Sequence, residues 1–139
     1  GIVHIAPAFG PDDQRAFVRL QSRIGKSLGL LCAIEPNGRF KADVVKLAHH
    51  GSRNNTDRAL ASLLSAQTWI FSSNGASNTK HPHKESVARV LHDGKGVKTL
   101  VFNYRTGFND VWDDAELMEE FGYEAVYGDG ESPVTVTLK

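Results

Sequence analysis

One cysteine, one methionine and no apolar run of membrane length set the first limits on this 139-residue chain. A lone Cys32 excludes an internal disulfide and any zinc knuckle built on several thiolates. Within "GLLCAI" it is expected to be a small buried hydrophobe. No stretch approaches the roughly 20 apolar residues of a membrane helix, and no export-signal pattern is visible. A cytoplasmic location, with no membrane segment in this chain, is therefore the expectation. An excess of either charge is lacking as well: 16 Lys and Arg balance 16 Asp and Glu.

What is present is ordinary in bulk and uneven in placement. A hydrophobic share of 40% with 23% charged residues suits a globular domain, and the length suits a single domain over residues 1–139. Residues 44–98 carry eight Lys/Arg against three Asp/Glu, whereas residues 99–139 carry two against nine. A basic stretch of this kind steers anionic ligands even when the total charge vanishes; its alternative reading is a solvated surface.

Strand-like and helix-like segments alternate. "IVHIAP" reads as a strand closed by Pro7, and residues 11–25 as a helix with acids in its first turn and Gly25 as its stop. "LGLLCAI" is too short to assign, whereas "ADVVKLA" reads as a strand rich in β-branched residues. "TDRALASLLSA" predicts a helix with Thr56 as N-cap and Ala59, Leu60, Leu63 and Leu64 as its apolar face. "TWIFSS" and "KTLVFNY" predict strands. Between them "KESVARVLHDG" predicts a helix with Val87, Val90 and Leu91 inward and Gly94 at its end. "DDAELMEEFG" predicts a short acidic helix, and "YEAVYGDGESPVTVTL" two strands around a Gly-rich turn. This alternation is that of an α/β fold with parallel sheet, in which ligands gather at the carboxyl ends of strands.

Four of the six histidines fall at two such ends: His49 and His50 in "KLAHHGS", His81 and His83 in "HPH". Neighbours on a strand point to opposite faces, so His49 and His50 share a site only if the strand stops between them, which Gly51 permits; the favoured arrangement has one of them facing a metal and the other orienting or packing against it. Pro82 biases His81 towards extended backbone, where residues i and i+2 face the same side. A helix opening near Lys84 aims its first N–H groups at the same place, a setting that suits phosphate. Ser52 either caps the loop, binds a phosphate oxygen or turns the chain. A histidine taken alone at a strand end is more often a hydrogen-bonded surface group than a ligand, and it is the two pairs together that point to a shared site.

"ADVVKLAHHGSRNNT", "TWIFSSNGASN" and "HPHKESVARVL" together resemble the C-terminal half of a metallo-β-lactamase-fold hydrolase, closest to the subgroup related to the DNA-uptake protein ComEC. The likeness covers residues 42–92 well and the remainder loosely. It implies a four-layer αβ/βα sandwich of which this chain supplies mainly the C-terminal half. It also implies a site holding one or two divalent ions, zinc or manganese, with His50 or His49 as metal ligand. His81 and His83 would then act at the reacting centre, and Ser52 and Lys84 against the substrate. The implied chemistry is metal-assisted hydrolysis of a phosphodiester in nucleic acid or a nucleotide.

The family's HxHxDH motif is absent, as is its Gly-Asp aspartate between "IVHIAP" and "ADVVKLA". Four histidines without a shared carboxylate do not complete a two-metal site. Two expectations follow. In the first, the HxHxDH half of the same protein is supplied elsewhere, by a separate or cleaved segment. In the second, the domain has lost its metals and serves as a binding or scaffolding module.

Overall fold

The segments rich in β-branched and aromatic side chains form the strands of a central sheet, as such side chains pack well on a pleated surface. The structure is a computed structural model, and it describes residues 38–75, 78 and 80–137 together with the strand backbones at 2–4 and 33–34. Its strands are β1 (Ile2–His4), β2 (Ala33–Ile34), β3 (Phe40–Lys41), β4 (Val44–Lys46), β5 (Leu64–Ser65), β6 (Thr68–Phe71), β7 (Thr99–Phe102) and β8 (Glu124–Tyr127). Five of them make one sheet in the order β1-β4-β6-β7-β8, with every neighbouring pair parallel. A smaller sheet joins β2, β3 and β5. The helix expected over residues 11–25 and the burial expected of Cys32 lie outside the described residues.

Strand side chains alternate across the large sheet, as a period of two requires. Trp69 and Phe71 of β6 and Leu100 and Phe102 of β7 are fully buried and share one core cluster with Val45, Val87 and Val90. Phe71 and Phe102 stack with ring centroids 5.0 Å apart, and Phe102 and Tyr127 at 5.1 Å. Helix α1 (Arg58–Leu63) and helix α2 (Lys84–Asp93) supply the cover. Along α2, Val87 and Val90 are buried, Leu91 packs against the core, and Gly94 caps the end with its N–H on the Val90 carbonyl. Helix α3 (Ala115–Phe121) is short and starts at Asp114, whose carboxylate accepts from the Glu116 and Leu117 N–H groups. Among the described residues no helix is long and apolar enough to cross a membrane.

Three expectations are corrected. Asp57, not Thr56, caps α1, accepting from the Leu60 N–H at 2.7 Å, while Thr56 is buried and its carbonyl accepts from Arg89. The helix also ends at Leu63, because Leu64 turns extended and pairs with β3. Its apolar stripe is thereby cut: Ala61 and Leu64 are buried, but Leu63 is 45% exposed. The third concerns the C-terminal hairpin. β8 lies parallel to β7, and although Asp129 closes a turn by accepting from Glu131 and Ser132, residues 133–137 form no ladder. A strand reached through a helix returns parallel to its predecessor, and among the described residues β8 is the edge of the sheet.

Candidate active site

Parallel strands expose all their carboxyl ends at one rim, and three of them feed the site. β4 runs into Leu47 and a helical turn at Ala48–Gly51 that carries His49 and His50. β6 runs into Ser72–Asn74, and the chain comes back to the rim at His81 and His83. β7 runs into Asn103 and Tyr104.

The four imidazoles converge. Ring centroids are 5.3 Å apart for His49 and His81, 6.1 Å for His50 and His81, and 4.7 Å for His81 and His83. His49 and His50 both face the cluster because neither remains extended: their φ values are 46° and 58°, in the left-handed region, as is Lys80 at 54°. L-residues adopt that region at a cost, and such residues gather where a site demands them.

Gly51 is where the two motifs touch. Its φ is +81°, and a Cβ there would stand 2.9 Å from Pro82 Cβ and 3.0 Å from Phe71 Cδ1. The space left by the absent side chain lets the His83 N–H reach the Gly51 carbonyl at 3.1 Å. The His81–Pro82 peptide is cis. Arg89 of α2 secures the loop from the other side, donating through Nη1 to the carbonyls of Arg53 and Thr56, both at 2.8 Å.

Hydrogen bonds to Nδ1 assign the ring nitrogens. His50 Nδ1 lies 2.6 Å from the Ser72 carbonyl oxygen; a carbonyl only accepts, so Nδ1 carries a proton, and in the neutral tautomer the lone pair is on Nε2. His49 Nδ1 stands 3.0 Å from Asn55 Oδ1 and is oriented the same way. Metal-binding histidines are commonly fixed by such outer bonds. His83 is opposite. Its Nδ1 accepts from the Arg53 backbone N–H at 3.2 Å, so the neutral ring bears its proton on Nε2 and offers a donor.

His81 sits at the centre and is only 5% exposed. Burial first, then the neighbouring His83, His49 and His50, lowers its pKa from the usual imidazole value and keeps it neutral. Glu85, in the first turn of α2, is held below the usual carboxylate range by its own backbone N–H and by Arg53, whose Nη1 donates to it at 2.8 Å. Both side chains are about half exposed, so their pairing contributes little to stability.

The two expected substrate contacts stand next to the histidine motifs in different settings. Ser52 is buried, and its Oγ accepts from the Asn54 N–H at 3.3 Å, so here it caps the loop. Lys84 is exposed at the first position of α2. Sequence reasoning missed Asn103 and Tyr104, which with His50, His81, Ser72 and Ser73 line a cleft of about 320 Å³. Asn103 Oδ1 accepts from the Ser73 N–H at 2.6 Å, and Ser73 Oγ donates to the His81 carbonyl at 3.0 Å. Their signal was available: they follow "TLVF" at a strand's carboxyl end, as the histidines follow theirs.

In the neutral rings the Nδ1 bonds of His50 and His49 leave Nε2 as the nitrogen that could hold a metal. Among the described residues no group of three or more His, Cys, Asp or Glu side chains is placed to hold a metal ion. No protein-family model, curated protein or solved structure matches the chain.

Proposed function

We propose that this chain carries part of the active site of a metal-dependent hydrolase of the metallo-β-lactamase type, a phosphodiesterase or nuclease acting on nucleic acid or a nucleotide. One observation carries the reading: four imidazoles meet at a sheet rim, and in the neutral rings the Nδ1 bonds leave Nε2 as an acceptor on His50 and His49 and as a donor on His83. His50 and His49 would hold zinc or manganese, and the HxHxDH half of the four-layer sandwich would bring the other ligands. A divalent ion held there supplies a Lewis acid and makes water acidic enough to react near neutral pH. Neutral His81 packs the rings together. His83 donates from Nε2 to a phosphate oxygen or to the departing oxygen, and the basic segment around it favours an anionic substrate.

The test uses the full-length protein with single- and double-stranded DNA, RNA and cyclic dinucleotides, with Mn²⁺ or Zn²⁺. His50→Ala should lose bound metal. His83→Ala should retain metal and fold, yet lower turnover roughly 10²-fold or more. Absence of metal-dependent cleavage of every phosphodiester offered rejects the reading. The missing HxHxDH favours a second one, a binding module without metal. A stoichiometric transition metal in the purified full-length protein contradicts it.

A further inference from the structure

The cleft beside the imidazoles does not end with them. Ser72, Asn103 and Tyr104 line it and also line a larger cleft of about 460 Å³ that extends to residues 130–136. The shared wall makes them one groove, and each part falls in the roughly 300–1,000 Å³ range of small-molecule sites.

The lining of the larger part is specific in its chemistry. Ile70 and Val101 give it an apolar floor, Lys46 from the end of β4 brings a cation, and Glu131 brings an exposed carboxylate. Lys46 enters no ion pair among the described residues. Asn103 spends its amide oxygen on Ser73, so its NH₂ is what it offers a ligand. Tyr104 remains 36% exposed with its ring against Gly130, where an added Cβ would stand 3.2 Å from Tyr104 Cδ1. The glycine lets backbone support the ring.

We propose that this groove binds a nucleotide unit, with its base stacked on Tyr104 and its phosphate at Lys46. A simple anion would leave the apolar floor and ring unused and would meet Glu131 unfavourably. A nucleotide uses all of them, since every base has a π-face that stacks on an aromatic side chain and ribose hydroxyls or exocyclic amines donate to a carboxylate. The inference rests on the hydrolase reading for the arrival of a phosphodiester at the histidines; binding in the groove is measurable without turnover.

The experiment follows anisotropy of a fluorescein-labelled oligoadenylate on the full-length protein in EDTA, with adenosine monophosphate as competitor. Tyr104→Ala should raise Kd at least about fivefold, and Tyr104→Trp should restore it. If Tyr104→Ala melts early, Tyr104→Leu, which keeps bulk without a π-face, carries the same expectation. Lys46→Ala should weaken binding and reduce the salt slope by about one. Competition by the mononucleotide supports a site for one unit, and its failure beside strand binding overturns that site. The proposal is overturned by no binding, by a wild-type Kd for both Tyr104→Ala and Tyr104→Leu, or by an abasic strand bound as tightly as oligoadenylate. Absence of oligoadenylate binding by the unaltered protein, beside intact cleavage of bis(p-nitrophenyl) phosphate, rejects the groove alone. Binding without any cleavage supports the groove and rejects the hydrolase reading.

Discussion

At the scale of single residues, the site depends as much on what Gly51 lacks as on what the histidines carry. Adding a methyl group there would strain a backbone at φ +81° and drive into Pro82 and Phe71. Gly51→Ala should therefore cost roughly 2–5 kcal/mol, combining left-handed strain and overpacking, and should separate the two histidine motifs. Chemical denaturation measures the loss, and a variant as stable as the parent would show that the motifs do not pack through this point. The positions of His49, His50, His81 and His83 were legible because they stand at strand ends beside residues that permit turns. Their tautomers were not. His83 is oriented by the backbone N–H of Arg53 and His50 by the carbonyl of Ser72, and no pattern in the sequence announces a main-chain partner.

At the scale of elements, strand periodicity was the more reliable guide and the α1 stripe the less. The strands at 44–46, 68–71 and 99–102 lie where β-branched and aromatic residues predicted them. Leu63 and Leu64 fit a helical face in sequence, but pairing of Leu64 with Phe40 in the small sheet overrides it. Long-range pairing of this kind leaves no local trace. The difference has energetic consequences: Phe102→Ala, in a fully buried position between Phe71 and Tyr127, should lower stability by roughly 3–5 kcal/mol through the cavity it opens. Leu63→Ala, nearly half exposed, should change it by less than about 1 kcal/mol. Equal losses in thermal or urea unfolding would contradict the burial described for these two positions.

For the whole molecule, the α/β class and the parallel sheet were readable from the alternation of elements, whereas the return of the C-terminal segment was not, because turn chemistry at Asp129 does not specify the partner of the strand before it. Stability at high pH draws on the same region. Burial, assisted by Asp114 and Asp113, raises the Tyr123 phenol to about 12; burial likewise raises Tyr127 to about 12, with Arg105 acting in the opposite direction. Tyr123 donates to the Trp112 carbonyl and Tyr127 to that of Asn109. Folded pKa values above the ordinary phenol value of about 10 mean that the unfolded chain releases these protons first. The contribution is present in full below pH 10 and is lost as pH rises towards 12. Melting temperature should fall over that interval, and Tyr123→Phe should shallow the decline; an unchanged slope in the variant would refute the assignment.

The order of strands has a bearing on how the chain comes to have a site at all. β4, β6, β7 and β8 lie side by side in the same sequence as they leave the ribosome, and the bonds that orient His50 and His83 span only 22 and 30 residues. Loop-closure cost grows only slowly with separation, so spans of this length add little to it. The imidazole cluster is therefore drawn from one contiguous stretch of chain, residues 49–83, and takes no ring from β1.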